Sequence, residues 1–427
     1  MKRILTALIA VLGISAYATA QDVTGTIRTT DGTPIAGVVV TDGHTVIATD
    51  AEGKYAFNRH EEAAYVYYSL PAEYRVPLRQ GHPCFYKKLT DDKVYDFVLQ
   101  PLKGGKEDKF RLVMVADPQC QNLRHVYRFH SETAPDLKKT AKKTKTPCYA
   151  ISLGDIVYSE GPRNANYLMP MIKEEMRAEN IGMPMFQTIG NHDCDYEPVA
   201  IGKRNSTPTV RLQRMFEATF GPIDYSWNRG DVHIVSMNDI VYDDINNFKK
   251  YHGDFTDKQV EWLRKDLSYV SKDKMVILCV HCSIENSTKS NVQNILGLLS
   301  QFKDAHIMSG HHHRMTNHPT TSTVNVSAAS TPGSETSSTT STGWKRGSGD
   351  LNPAQSRRFA SQSPHTTTTR AAREITAPFH GASPFFAYGS FNFIFGYLAT
   401  SVKVSPNGIL ILAAAFTAQP LAFKSGA

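Results

Sequence analysis

The sequence lacks several features that would assign it to a simple class. Its N-terminal apolar run, Ile4 to Ile14, is too short to span a bilayer. No cysteine follows that run, so a bacterial lipid anchor has no support. Cys279 and Cys282 form a CxxC pair, but no second pair exists to complete a four-sulfur zinc site. Apolar core thiols are therefore favoured over a redox or zinc pair, while the pairing of the six cysteines stays open.

The main body of the chain also lacks a charge excess. The formal net charge is +7, but residues 321–427 hold eight Lys or Arg against three Asp or Glu. Lys2 and Arg3 supply the other two positive charges, so residues 21–320 are close to neutral. Charge therefore gives no reason to expect a nucleic-acid partner.

The first twenty residues have the pattern of a secretory signal peptide. Lys2 and Arg3 precede the apolar run, and Ala18-Thr19-Ala20 forms a small-x-small cleavage site. We expect cleavage after Ala20 and export to the periplasm, the cell surface or the medium.

Residues 21–102 have the rhythm of a small all-β domain. Asp31-Gly32, Asp42-Gly43 and Glu52-Gly53 interrupt short alternating runs at even spacing, which predicts a β-sandwich. The stretch resembles the carboxypeptidase regulatory-like β-sandwich and contains no cluster of catalytic residues. A spacer or packing domain is favoured over a carbohydrate-binding one. Residues 103–108 then indicate a polar linker.

Residues 109–319 alternate strand-like and helix-like segments, which predicts an α/β layered domain. Within it, Thr256 and Gln259 are spaced as the capping box of a helix. Residues 320–427 differ abruptly in composition and predict a poorly ordered tail. One interpretation is a Ser/Thr-rich linker before a membrane-contacting segment. The other, which the abrupt change favours, is a segment translated out of frame.

Five short motifs end strand-like apolar runs of the α/β region. They are Asp117-Pro118-Gln119, Gly154-Asp155, Gly190-Asn191-His192-Asp193, His281 and Gly310-His311-His312-His313. The runs before them read RLVMVA, YAISL, PMFQTI, MVILCV and AHIMS. Loops at the carboxyl ends of strands share one edge of an α/β sheet, where ligands bind. Carboxylate, amide and imidazole groups gathered at that edge suit two divalent cations.

The residue types explain the chemistry of such a site. Asp155 is short and anionic, so its two oxygens can bridge a pair of cations. Asp117 adds a second anionic oxygen, whereas Asn191 adds a neutral one and limits the repulsion of a phosphate. Imidazoles favour Mn, Fe, Zn, Co or Ni over Mg or Ca, including mixed-valence pairs, although the identity of the metal stays open.

This motif set resembles the calcineurin-like metallophosphoesterase family over residues 109–313, and the N-terminal domain resembles its exported bacterial branch. The resemblance implies a β-sandwich flanked by helices and a metal-bridging hydroxide that attacks phosphorus. It also implies a role for His192 in protonating the leaving oxygen or stabilising phosphoryl charge. The implied ligands of one metal are Asp117, Gln119, Asp155 and His313. Those of the other are Asp155, Asn191, His281 and His311.

Some residues depart from the family pattern or stand beside it. Gln119 occupies a position where the family usually has His, which predicts a weaker or harder-cation site. Tyr158 is interpreted as a rim or core residue, with iron ligation as in purple acid phosphatases as the alternative. The other candidates for the rim, or for support behind the ligands, are Asp193, His233, Asn238 and Asp239, whereas His312 is expected to point away.

The predicted function is that of an exported binuclear-metal hydrolase of small phosphomonoesters or phosphodiesters. The loop-rich span 194–230 is the candidate for substrate selection. The alternative is a non-catalytic surface binding protein with a degenerate phosphatase-like domain, which Gln119 and the atypical tail motivate.

Overall fold

The fold is taken from a computed structural model of the full chain. It describes residues 21–159, 165–194, 212–243, 250–284 and 287–313, together with the backbone of five strands beyond residue 315. The predicted signal peptide and most of the atypical tail lie outside the described residues. Residues 195–211 of the span proposed for substrate selection do so too.

The first nine strands belong to the N-terminal domain. They are β1 (Val23–Thr29), β2 (Val39–Thr41), β3 (Val46–Ala48), β4 (Lys54–Phe57), β5 (Tyr65–Tyr68), β6 (Leu78–Arg79), β7 (His82–Pro83), β8 (Tyr86–Lys88) and β9 (Phe97–Leu99). Sheets β4-β1-β9 and β3-β2-β5-β8 pack face to face, since Tyr68 meets Phe97 edge-on with ring centroids 4.9 Å apart. Alternate burial along β1 fits one face turned to that core.

The later strands form the α/β domain. They are β10 (Arg111–Ala116), β11 (Cys148–Ser152), β12 (Met185–Phe186), β13 (Tyr225–Arg229), β14 (Val232–Ser236), β15 (Ile240–Tyr242), β16 (Tyr251–Gly253), β17 (Met275–Cys279), β18 (Asp304–Ser309), β19 (Thr316–Pro319), β20 (Val324–Ala328), β21 (Asn392–Ile394), β22 (Tyr397–Val404) and β23 (Ile409–Ala415). One sheet runs β12-β11-β10-β23-β22-β21 and a second runs β13-β14-β17-β18-β20-β19. The strands β12, β11, β10 and β23 are mutually parallel, as are β14, β17, β18 and β20.

Helices cover the outer faces of both sheets. They are α1 (Leu123–Arg128), α2 (Ala134–Lys142), α3 (Met169–Glu175), α4 (Ala178–Ile181), α5 (Arg214–Phe220), α6 (Asp257–Ser268) and α7 (Ser290–Leu299), with a π-helical turn at Phe129–Thr133 and 3₁₀ turns at Asn166–Leu168 and Asn191–Asp193. The predicted capping box of α6 is confirmed, because Thr256 Oγ1 accepts from Gln259 N at 3.3 Å and Gln259 Oε1 accepts from Thr256 N at 2.9 Å. The predicted α/β layered fold class is thus present. No helix of the described residues is both long and apolar enough to cross a membrane.

The two sheets bury one core between them. Leu112 and Met114 of β10 point into it, whereas Val113 and Val115 point to the helices on the other face. Phe186 of one sheet stacks on Trp227 of the other, with centroids 4.0 Å apart. Because helices cover only the outer faces of the two sheets, the carboxyl ends of their parallel strands remain accessible along a common edge.

The N-terminal domain shares that central core. Phe85 packs against Phe186 and Tyr225, with ring centroids 6.0 and 5.0 Å away. The hydroxyls of Tyr65 and Tyr67 donate to backbone carbonyls of the α/β domain at 3.0 and 2.5 Å. We call this contact region the junction; it makes the first domain a packing domain.

The described part of the tail adds strands to both sheets: β20 pairs in parallel with β18 of the second sheet, and β21 to β23 extend the first. β23 pairs in parallel with β10, from Arg111 opposite Leu410 to Ala116 opposite Ala415, and in antiparallel with β22. Neither interpretation of the tail included these strands. Likewise, helix α5 and strand β13 replace part of the span interpreted as loop-rich.

Candidate metal centre

Every predicted motif lies just past the carboxyl end of a parallel strand. Asp117 follows β10, Asp155 follows β11, Asn191 follows β12, His281 follows β17, and His311 follows β18. Because the two sheets pack together, their five loops meet at one edge. Asp155, His281 and His311 each place a ligand atom within 4.8 Å of the other two.

Left-handed backbone is concentrated at these ligands. The positive φ values are 53° at Asp117, 46° at Gln119, 53° at Asp155, 68° at His311 and 50° at His313. Among the residues that the structure describes, Gln80 is the one other non-glycine residue with positive φ. Such conformations cost of order 1–3 kcal/mol each and persist where surrounding structure fixes them. The motif spacing gave no signal of this strain.

Three glycines allow the loops to approach each other. A Cβ on Gly190 would lie 2.1 Å from Asp155 N, and one on Gly154 would lie 2.4 Å from His281 Nδ1. A Cβ on Gly310 would lie 2.7 Å from Asp117 Oδ2. Any side chain at these positions would push a proposed ligand away, so contact requires glycine at all three; at Gly154, with φ of 89°, conformation requires it too.

Asp155 lies between two groups of predicted ligands. The first group is Asp117, Gln119 and His313; the second group is Asn191, His281 and His311. Asp155 Oδ2 lies 3.2 Å from Gln119 Nε2, while Asp155 Oδ1 lies 3.2 Å from His281 Nε2. The two oxygens of one carboxylate therefore face different groups, as a bridging ligand requires.

Hydrogen bonds orient the imidazoles of both groups. Leu153 O lies 2.7 Å from His281 Nδ1, which leaves Nε2 facing Asp155 and Asn191 Oδ1, the latter 3.0 Å away. In the first group, His313 Nε2 lies 3.3 Å from Asp117 Oδ1. Backbone bonds from ligand imidazoles fix which nitrogen faces the ion in metal sites.

The charges of the centre call for a cation. Burial alone would lower the pKa of His281, but the Asp155 carboxylate raises it to about 10. Burial opposes ionisation of Asp155, yet His281 and His192 hold its pKa below the ordinary value. Burial raises the pKa of Asp117. Contact with Asp117 also raises the pKa of His313, whereas burial lowers that of His311 to about 4. Divalent cations could neutralise the two buried carboxylates in place of protons. The mixed oxygen and imidazole donors fit transition metals.

His192 stands beside the ligands. Its Nδ1 lies 2.7 Å from Ser159 O, and its Nε2 lies 3.9 Å from Asp155 Oδ2. Its backbone N–H donates to Asp155 Oδ1 at 2.8 Å. Tyr158 stacks on the imidazole with ring centroids 4.2 Å apart.

Asp193 and Asp239 support the ligand loops from behind. Asp193 accepts from Val157 N and Gly190 N, each at 2.9 Å, which joins the loops that carry Asp155 and Asn191. Burial, reinforced by Asp155, raises the pKa of Asp193 to about 8. Asp239 Oδ1 accepts from His281 N at 3.1 Å.

The remaining predicted residues lie outside the ligand groups. Asn238 closes its own turn, since its Nδ2 donates to Ile240 O at 3.0 Å. The structure corrects the rim position of His233, whose Nε2 instead contacts buried Asp266 at 2.8 Å. The side chain of His312 is exposed, as expected.

A second histidine cluster occurs in the N-terminal domain. Ligand atoms of His44, His60 and Glu62 lie within 4.8 Å of one another. The two imidazoles stack at 3.6 Å, and Lys258 Nζ donates to Glu62 at 2.9 Å. Because Lys258 lies on α6, its bond to Glu62 also joins the two domains.

Comparison with known protein families gives a separate match for each of the two domains. The family profile described as Calcineurin-like phosphoesterase matches residues 110–315, and that described as N terminal of Calcineurin-like phosphoesterase matches residues 21–102. No curated protein matches.

Similar solved structures include a dimetal phosphatase from Danio rerio, with TM-score 0.35 and 14% identity over 51% of this chain and 86% of that one. A 5'-nucleotidase from Candida albicans gives TM-score 0.34 and 13% identity, over 53% of this chain and 46% of that one. Likeness at this level supports no statement about substrate.

Proposed function

Because this chain belongs to the calcineurin-like phosphoesterase family and is a metal-dependent phosphoric ester hydrolase, we propose that it cleaves small phosphomonoesters or phosphodiesters at a binuclear centre. The observation that supports this most is Asp155, whose two oxygens face the two groups of ligands. A pair of cations there would lower the pKa of water and neutralise phosphate charge.

Residues beside the metal ligands provide proton transfer and hold the proton-transferring group in place. Ser159 O fixes His192 through Nδ1, so Nε2 is the atom that exchanges protons with the substrate. A proton on Nε2 can pass to the leaving oxygen or hold a phosphoryl oxygen by a hydrogen bond. The stacked Tyr158 ring restricts rotation of the imidazole and keeps Nε2 beside Asp155.

The test is hydrolysis by purified full-length protein that has been freed of metal and reloaded with Mn, Co or Zn. An aryl phosphate and a bis-aryl phosphate serve as monoester and diester probes, and the ratio of their kcat/KM values assigns the class. Asn191→Ala removes an oxygen ligand, and His192→Ala removes the proton donor. We expect each to reduce kcat/KM by about 100-fold or more.

His130→Ala is the matched control, because this histidine is exposed in the turn Phe129–Thr133 and lies outside both groups. It should retain wild-type kcat/KM. Activity that survives both site substitutions would come from a contaminant and would refute the proposal. Two bound cations without hydrolysis of either probe would favour the alternative, a non-catalytic binding protein.

We also propose that the enzyme is exported, on the basis of the basic and apolar start of the chain and its Ala18-Thr19-Ala20 motif. The secreted or periplasmic product should begin at Gln21, as measured by intact mass. A cell-associated product that retains Met1 would contradict export.

A further inference from the structure

The two ligand groups differ in their donor atoms. With Asp155 shared, the first group offers oxygens from Asp117 and Gln119 and one imidazole, from His313. The second group offers one amide oxygen, from Asn191, and two imidazoles. Oxygen-rich sites suit harder cations such as Mn²⁺, whereas imidazole-rich sites suit Zn²⁺ and Co²⁺.

We propose that Gln119 makes the centre asymmetric, so that the second group holds a tight Zn²⁺-type cation and the first group a weaker, exchangeable Mn²⁺-type cation. This inference rests on the proposed binuclear centre. It concerns which ion each group of this chain prefers and how tightly the group holds it.

The contacts of the Gln119 amide weaken the first position. Its Nε2 donates to Asp155 Oδ2 at 3.2 Å and lies 3.3 Å from His313 Nε2. Ligation would use the amide oxygen, since the amide nitrogen has no lone pair to give. The amide must therefore turn over and lose its bond to Asp155 when a cation binds. A histidine at this position would instead ligate through a ring nitrogen, which late transition metals bind more strongly than an amide oxygen.

Exposure to water weakens the first position further. The His313 side chain is 31% exposed, whereas that of His281 is 0% exposed. The Gln119 side chain is also half-buried, while Asn191 is buried. Water that reaches the first group competes for the cation and speeds its exchange, whereas His281 and Asn191 of the second group are shielded from solvent and its His311 is partly exposed.

The experiment measures metal content and not activity. Metal-free full-length protein is dialysed against equal, buffered concentrations of Zn²⁺ and Mn²⁺, and bound metals are counted by mass spectrometry. The wild type should hold one Zn and one Mn per chain. Gln119→His should hold two Zn, because its imidazole restores a strong donor for late transition metals.

Titration of the same proteins with Zn²⁺ alone gives the affinities. In the wild type the second Zn²⁺ should bind at least about tenfold more weakly than the first, and Gln119→His should narrow that gap. The His130→Ala protein is the control and should behave as wild type. Two equally tight Zn ions in the wild type, or no change in Gln119→His, would overturn the asymmetry while leaving the binuclear hydrolase intact. A protein that binds no metal would overturn both.

Discussion

At the junction, aromatic side chains of one domain fill the core of the other, and tyrosine hydroxyls donate to backbone carbonyls in ordinary conformations. At the edge that carries the predicted ligands, five residues with left-handed backbone meet, and two of them, Asp117 and Asp155, bear buried carboxylates. Packing at the junction lowers the free energy of the folded state, whereas strained backbone and buried charge at the edge raise it. Strain and buried charge are tolerated at the edge because packing elsewhere, including the junction, stabilises the chain.

The largest expected effect lies at the junction. Phe85→Ala removes a ring that is 5% exposed, and we expect the free energy of unfolding to fall by about 3–5 kcal/mol. Urea unfolding measures this. Val98→Ala is the control in the same domain, since Val98 is 62% exposed, and its effect should stay within about 0.5 kcal/mol. Metal content of the folded Phe85→Ala protein should not change; loss of metal would mean that the two regions are coupled.

A smaller effect is expected from one methyl group at the edge. Gly190→Ala would place a Cβ 2.1 Å from Asp155 N, so the Asp155 carboxylate must move, and kcat/KM should fall about 100-fold. Gly297→Ala is the matched control because no atom lies within 4 Å of its added Cβ in helix α7. It should keep full activity and gain about 0.5–1 kcal/mol of stability. Equal activity of the two variants would show that contact between these loops is not required.

The smallest effect is expected at Gln80, where left-handed backbone occurs away from the predicted ligands, so that strain can be tested separately from activity. Gln80 has φ of 52° in the turn between β6 and β7, before Gly81, and it lies outside the ligand groups. Gln80→Asn supplies the residue pair favoured in such hairpin turns and should stabilise the fold by about 0.5 kcal/mol, with activity unchanged. Gln80→Ala keeps the strain and serves as control in thermal unfolding. A destabilised Asn variant would show that this turn is not strained.

The sequence predicted the edge better than the junction. Each ligand follows an apolar run, so a strand and the loop after it could be read from local order, as at Asp117 and His281. The junction depends on contacts between distant residues, such as Phe85 with Tyr225, that no local pattern carries. His233 was misplaced for the same reason: its strand was predicted, but the partner Asp266 lies on a helix.

The tail shows a second limit of local patterns. β23 pairs with β10 across about three hundred residues, and its apolar composition alone does not say which strand it joins. The sequence also could not predict positive φ at Asp155 and His313, because non-glycine residues adopt it only where neighbouring loops fix the backbone.

The shared core has an evolutionary consequence. A β-sandwich joined by a flexible tether can be exchanged between genes as a cassette, but here Phe85 sits among the aromatic rings of its neighbour. Recombination that replaced the N-terminal domain would remove Phe85 and leave a cavity next to Phe186 and Tyr225. We therefore expect the two domains to be inherited together, with correlated substitutions at the residues that face each other across the junction.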